Sequence, residues 1–374
     1  MDFGFSDEQK MFRREVRSFL EKEFPFAKLR QLEQDEKGWS AELYCRMAEL
    51  GWLGFMLPEE LGGLGFGFVD VAIFYEEIGR ALFPSPHFCS LILTGHALNR
   101  AGTAEQKELL KRMASGEVTA TVASFEPVEG NGPEAIRVRA REDGGDLVLD
   151  GIKVFVPFAN SVDYLLTLVR TAEPSANAAG PSLALVPASA KGIALSPHRV
   201  ISSERSFEVT FQGARVPRRN VVGELNRGWP LWQEMDDRGK VAAAAEMIGG
   251  AERALLMAVG YAAERYQFGQ PIGKFQAIQH LLAPPFMEID GARLLLYEAA
   301  WQIDQGMNAR GSAAMAKAWA NHVYQAATKA GHQTLGGFGF MLETDMQFFY
   351  RRAKGLEINR GATARQLDII AAGL

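Results

Sequence analysis

A chain of 374 residues, 47% hydrophobic and 23% charged, is long enough to bury one large core or two to three small ones. A formal net charge of -5 and a pI near 5.8 exclude the basic footprint of a nucleic-acid binder, and no uninterrupted apolar run approaches the length of a membrane span. Two cysteines, Cys45 and Cys89, are too few for a disulfide framework or a metal cluster, so no metal site is expected.

The opening Met1 to Asp7 has neither the basic start nor the apolar stretch of a signal peptide, and cytoplasm is the expected compartment. From Ser6 the first hundred residues read as helical. Ser6-x-x-Gln9 is a capping box, Met11, Phe12, Val16, Phe19 and Leu20 recur at helical spacing, and the helix is expected to stop before Pro25. Another helix is expected over Ala41 to Gly51. The run Leu57-Pro58-Glu59-Glu60-Leu61-Gly62-Gly63-Leu64-Gly65 lacks the Lys-Ser/Thr and the preceding strand of a phosphate cradle, which makes a nucleotide reading weak.

Between about Gly116 and Glu224 short runs rich in Val, Leu and Thr alternate with turn residues: Thr119 to Ser124, Ile136 to Ala140, Asp146 to Val156, Tyr164 to Val169, Leu183 to Val186 and Phe207 to Phe211. Asp143-Gly144-Gly145-Asp146 and Leu149-Asp150-Gly151-Ile152 are hairpin punctuation, and roughly eight short strands are expected. After Trp229 the chain is helical again, with alanine-rich segments around Ala242, Ala299 and Ala313 suited to close packing. Pro284-Pro285 predicts a kink or break in the helix that begins at Lys274, and Ala172 to Pro181 reads as a surface loop. The organisation is therefore a helical domain over 1–115, a β domain over 116–225 and a helical domain over 226–374.

Two stretches carry the chemistry. The first is Arg265-Tyr266-Gln267-Phe268-Gly269-Gln270-Pro271-Ile272, followed by Phe275-Gln276-Ala277-Ile278-Gln279-His280-Leu281-Leu282-Ala283; the second is Gln333-Thr334-Leu335-Gly336-Gly337-Phe338-Gly339-Phe340. The first resembles the signature of the acyl-CoA dehydrogenases, flavoenzymes that desaturate acyl-CoA thioesters. The run through Gly65, with Asp70 and Glu76-Glu77-Ile78-Gly79-Arg80-Ala81, and the segment Asn220 to Trp229 are similar to further parts of that family. The resemblance implies an α+β fold: an N-terminal helical domain, a small β-barrel-like middle domain and a C-terminal four-helix bundle. It also implies FAD as cofactor, an acyl-CoA substrate and electron-transfer flavoprotein as a partner.

For individual residues, the resemblance implies that Arg265, Gln267, Phe268, Phe275 and Gln276, with Gln333, Gly336 and Gly337, serve the pyrophosphate and adenosine half of an FAD held by the neighbouring subunit. The residue types suit that work, because guanidinium is a planar fork of donors for phosphate oxygens and glycine lets backbone approach a ligand closely. The plainer readings are that Arg265 caps a helix C-terminus and that the glycines form an ordinary αL helix end.

The family removes the α-proton with a Glu carboxylate while hydride leaves the β-carbon for the flavin. Aligned without a gap, Arg351-Arg352-Ala353-Lys354 leads to Arg360 where that Glu belongs, and an arginine cannot serve as base. Some relatives place the Glu on the first long helix after the β domain; that position here is Gly239, followed by Lys240. Glu357, Asp236 and Asp237 are candidates for a displaced base, although proton abstraction tolerates little misplacement. The family's flavin-facing Thr-Glu-Pro reads Phe125-Glu126-Pro127, and its Trp-Ile-Thr-Asn reads Phe155-Val156-Pro157-Phe158, which removes a hydroxyl and an N–H.

These departures make the chain similar to the non-catalytic subunit of heteromeric α2β2 acyl-CoA dehydrogenases of bacterial steroid side-chain degradation, which supports the FAD of a homologous partner. Two alternatives stay open: a self-sufficient homotetramer with Glu357 or Asp237 as an unconventional base, and a homologue that binds an acyl-CoA or a protein without redox chemistry.

Overall fold

The computed structural model describes residues 4–130, 132–172, 180–359 and 361–373. The expected loop over Ala172 to Pro181 falls mostly outside them, as does Arg360. Helices come first: α1 (Asp7–Glu23), α2 (Phe26–Leu32), α3 (Ala41–Glu49), α4 (Phe68–Ala81), a π-helical stretch at Phe88–Gly95, α5 (His96–Ala101) and α6 (Ala104–Ala114). Ser6 and Gln9 form the expected capping box, and α1 ends two residues before Pro25.

Among the described residues eight strands follow: β1 (Ala120–Ala123), β2 (Arg139–Asp143), β3 (Asp146–Pro157), β4 (Tyr164–Val169), β5 (Ser182–Pro187), β6 (Ile193–His198), β7 (Ser206–Pro217) and β8 (Val221–Val222). They form two four-stranded sheets, ordered β1-β4-β5-β8 and β2-β3-β7-β6, with β1–β4 the parallel pair among antiparallel ones. A single bridge between Arg139 and Arg170 joins the sheets. β7 runs past the expected end at Phe211 because Gly213, at φ +64, takes up an extra residue where the β3 register shifts. β6 escapes the sequence pattern because Pro197 lies inside it; the strand is an edge and pairs with β7 alone.

The C-terminal part is built from α7 (Gly228–Glu264), the minimal hairpin β9 (Tyr266–Gln267) and β10 (Gln270–Pro271), then α8 (Gln276–Asp304), α9 (Arg310–Leu335), α10 (Met346–Ile358) and α11 (Thr363–Ala371). α8 passes through Pro284 and Pro285 without a break, contrary to the sequence expectation. The prolines cost α8 the amide donors for the carbonyls of His280 and Leu281, but the helix buries Leu282, Pro285, Ile289, Ala292 and Leu296. That packing carries it past a local defect.

α7 is the axis of the molecule, packed against α4, α8, α9 and α10. At its crossing with α4 the backbones touch: a Cβ on Gly79 would overlap the carbonyl oxygen of Glu246, and one on Gly249 would overlap that of Glu76. The middle domain is tied on by hydrogen bonds to the helices. The Ser90 hydroxyl, in the π-helical stretch, donates to the Ala120 carbonyl and accepts from the Ala120 amide, both at 2.7 Å, and Trp39 Nε1 donates to Ser161 Oγ at 3.0 Å.

The crossing makes opposite predictions for two glycines of the same helical type. Gly79→Ala is expected to destabilise the chain by about 2–3 kcal/mol through overpacking. Gly260→Ala, on α7 with no neighbour within 4 Å, is expected to stabilise it by about 0.5–1 kcal/mol. Urea unfolding of the full chain reads both, and equal shifts in one direction would refute the backbone contact.

Candidate functional site

The eight residues expected to serve a neighbour's cofactor come together at one end of the bundle. α7 ends when its axis reaches Arg265, and the chain turns through Phe268 and Gly269, at φ +53 and +78, between β9 and β10. Two positive-φ residues make a type I′ hairpin turn. Phe268 is left 93% exposed, its ring edge-on to Phe275 at 6.1 Å. Gln267 folds back on the Tyr266 carbonyl at 2.8 Å, and Gln276 opens α8 exposed. The second motif lies alongside, since the Phe338 ring is 6.5 Å from that of Tyr261 in the last turn of α7.

Arg265 is the C-cap of α7, its amide donating to the Tyr261 carbonyl, but of the polar side chains in this set only that of Gln267 makes a hydrogen bond among the described residues. The Arg265 side chain makes no hydrogen bond or ion pair among the described residues, and Gln333, Gly336 and Gly337 are exposed. Gly336 has φ +61 and ψ -134, which only glycine tolerates. Gly337 has neither a positive φ nor any neighbour within 4 Å of an added Cβ, so nothing among the described residues requires a glycine there. Gly63, in the glycine-rich run after Leu57, is the reverse: its Cβ would strike the Leu57 carbonyl.

The middle-domain segments are laced together instead. Glu126 accepts from the amides of Arg137 at 2.7 Å and Val138 at 3.1 Å and from Lys153 Nζ at 2.6 Å, with both side chains of the ion pair buried. Phe125 accepts from the Val154 amide at 2.9 Å and lines a cavity of about 110 Å³ with Trp229, Trp232 and Asp236. A register shift between Lys153 and Val156 coincides with a positive φ at Phe155, and Phe158, just past the end of β3, has one as well. Phe155 points out, whereas Phe158 is buried.

Pro157 and Phe158 line a different cavity, of about 60 Å³, between α4, the π-helical stretch, α7 and α10. Its polar lining was invisible in the sequence. Arg352 Nη1 donates to Glu204 at 3.0 Å and to Glu246 at 3.3 Å. Burial, with Glu204 adding to it, pushes the Glu246 carboxyl up to about 7 against the pull of Arg352. Burial pushes His87 down to about 4, so its ring is neutral. Its Nε2 lies 3.0 Å from the Leu53 carbonyl, which assigns the proton to that nitrogen and makes the Tyr75 hydroxyl the donor to Nδ1 at 2.8 Å.

The carboxylates proposed as displaced bases lie elsewhere. Lys240 holds Asp236 at 2.9 Å and Asp237 at 2.8 Å, and Lys354 holds Glu357 at 2.6 Å; none of the three lines the 60 Å³ cavity. Gly239 is buried within α7.

Known proteins decide the family. Residues 6–117 match the acyl-CoA dehydrogenase N-terminal domain and residues 226–374 the acyl-CoA dehydrogenase C-terminal domain. The chain is 32% identical over 382 residues to the probable acyl-CoA dehydrogenase YngJ of Bacillus subtilis (strain 168), with 99% of each chain covered. This chain belongs to the acyl-CoA dehydrogenase family. Among solved structures it is similar to the ChsE4-ChsE5 complex from Mycobacterium tuberculosis, at 26% identity and a TM-score of 0.90, covering 100% of this chain and 98% of that one. It is likewise similar to a variant of the Tcur3481-Tcur3483 steroid ACAD, at 28% identity and a TM-score of 0.87, covering 98% of each. Acyl-CoA dehydrogenases are FAD-dependent flavoproteins with the three-part fold described above.

FAD fits the outward edge on physical grounds: a guanidinium with no partner among the described residues, an exposed aromatic face and a glycine with open space around it. The fit to this chain's own flavin-edge segments is poorer, since Pro157 offers neither hydroxyl nor N–H and the Phe158 side chain is turned into the core. Among the described residues, no helix is long and apolar enough to cross a membrane and no group of His, Cys, Asp and Glu is placed to hold a metal ion.

The Glu126–Lys153 pair gives a test of how this domain is held. Burial lowers Lys153 from 10.5 to about 8, so between those two pH values the unfolded chain keeps a proton that the folded chain has released. Stability is therefore expected to rise with pH across that window, and Lys153→Met to remove this rise. Glu126→Gln is expected to cost about 3–5 kcal/mol by stranding the buried ammonium. Denaturant titrations at several pH values measure all three.

Proposed function

We propose that this chain is a subunit of an FAD-dependent acyl-CoA dehydrogenase that completes the flavin site of a homologous partner and lacks a proton acceptor of its own. The observation that carries the reading is the outward edge: Arg265 with no partner among the described residues, Phe268 almost wholly exposed, and Gly337 small for no internal reason. In this reading Arg265 binds the pyrophosphate of the partner's FAD, Phe268 and Phe275 pack against it, and Gln267, Gln276, Gln333, Gly336 and Gly337 shape the approach. FAD, when bound, supplies the hydride acceptor.

The inner features support the same division of labour. At the two base positions the sequence has Gly239 and Arg360, and the neighbouring carboxylates are each held by a lysine. The 60 Å³ cavity is bounded by Pro157 on the flavin-edge side and by Asn359, next to position 360, so it corresponds to the acyl cleft. A steroid side-chain ester is far larger than that space and falls to the partner. The similar ChsE4-ChsE5 complex and Tcur3481-Tcur3483 steroid ACAD each name two components.

The test is to purify the chain alone and together with a homologous partner, and to measure bound flavin by its visible spectrum. The chain alone is expected to be nearly colourless and the complex yellow and active. Arg265→Ala in the complex is expected to weaken FAD binding about 10- to 100-fold, the worth of a hydrogen-bonded charge contact. Stoichiometric FAD on the isolated chain, reduced by an acyl-CoA, would overturn the proposal.

A further inference from the structure

The cluster Glu204–Arg352–Glu246 is unlike the rest of the cavity it borders. Ala243 and Glu246 face the space from α7, Tyr75 and Ile78 from α4, and Arg352 and Leu356 from α10. Glu246 and Arg352 are each more than nine-tenths buried. Tyr75 and His87 satisfy one another, and the remaining histidine nitrogen is held by the Leu53 carbonyl. The Arg352 Nη1 already serves both carboxylates. Glu246 accepts from Arg352 through Oε1, and its Oε2, like the second oxygen of Glu204, makes no hydrogen bond among the described residues, so the oxygens left over carry the negative charge of the cluster.

We propose that Glu246 is a specificity-determining residue of this chain's acyl cleft, selecting a short acyl group that carries a hydroxyl or amino donor at its distal end. The inference rests on the cleft assignment made above, and not on which subunit holds the flavin. Three acyl classes are disfavoured by the same geometry. An unsubstituted alkyl end would desolvate the buried carboxylate and return no hydrogen bond to it. A terminal carboxylate would meet two carboxylates already sharing one guanidinium, with like charges brought together in a buried site. A long chain exceeds a cavity of about 60 Å³, which holds only a few waters at roughly 10–15 Å³ each. A donor group supplies the missing partner of Oε2 and takes the place of those waters.

Arg352 acts as a positioning residue. Its bonds fix the Glu246 carboxylate so that Oε1 is occupied and Oε2 is the free oxygen, and Glu204, on the loop before β7, fixes the guanidinium from the other side.

The experiment is a binding titration of the full chain, alone and in its complex, with hexanoyl-CoA, 6-hydroxyhexanoyl-CoA, 6-aminohexanoyl-CoA and adipoyl-CoA. Calorimetry at pH 8, above the value of about 7 to which burial pushes the Glu246 carboxyl, is the readout, so that the group is ionised and flavin content plays no part. The hydroxy and amino esters are expected to bind about 5- to 10-fold tighter than hexanoyl-CoA, and adipoyl-CoA weaker than all three. Glu246→Leu, which leaves Arg352 paired with Glu204, is expected to abolish the preference and favour hexanoyl-CoA. Glu246→Gln, which preserves shape and an acceptor oxygen, is expected to keep part of the hydroxy preference and lose the amino one. Equal affinities, a preference for adipoyl-CoA, a preference that survives Glu246→Leu, or no binding of any ester would overturn the proposal. A chain that binds flavin by itself yet shows the expected ester ranking would sink the supporting-subunit reading and leave this one standing.

Discussion

The backbone contact between α4 and α7 is the constraint from which the remaining geometry follows. Two helices meet at ordinary distances through side chains, but Gly79 and Gly249 let these approach until carbonyls fill the space where side chains would stand. Such closeness brings acidic residues of both helices into the interior. Glu76 accepts from Tyr297 at 2.7 Å and pairs with Arg293 at 3.3 Å, Glu77 receives both ends of Arg17 at 2.7 and 2.8 Å, and Glu246 meets Arg352. A buried carboxylate is tolerated only when such partners answer it. The arginines that answer come from α1, α8 and α10, so one helix crossing recruits charged residues from across the N- and C-terminal helical parts. The cleft is the gap left where this charged shell faces the middle domain.

Much of the architecture was legible from local rules. The Ser6–Gln9 box, the stop before Pro25 and the strand over Tyr164 to Val169 each depend on a few neighbouring residues, and each stands as read. Where the reading failed, a distant partner had decided the matter. Pro284 and Pro285 break helices in isolation, yet α8 is clamped against α4, α7 and α9 and continues. β6 carries a proline and becomes a strand because β7 lies beside it. The Glu204–Arg352–Glu246 cluster joins residues 106 and 148 positions apart in the chain, and no periodicity encodes such a meeting.

The motifs of the outward edge are a different case. A motif whose residues serve another molecule need not be reconciled with the chain's own packing, so its spacing survives in the sequence as a compact signature. In the structure the side chains of Arg265, Gln276 and Gln333 make no hydrogen bond among the described residues. Gly63, Gly79 and Gly249 are glycines because their own fold leaves no room. Gly337 has open space around it, and the difference separates glycines that the packing requires from one that it does not.

Exposed apolar surface points the same way. Phe268, Phe338, Phe340 and Leu342 are all well exposed on the β9–β10 hairpin and the segment after α9, and Phe286, Met287 and Leu294 add an apolar face on α8. A single exposed aromatic is ordinary, but several on neighbouring segments mark a surface that is covered in the working molecule. A hairpin tip with a bare phenylalanine and an adjacent bare guanidinium is poorly suited to water and well suited to a ligand with an apolar ring system and a pyrophosphate. Both properties belong to FAD, the cofactor of the family, which is why the proposed assembly places it against this edge.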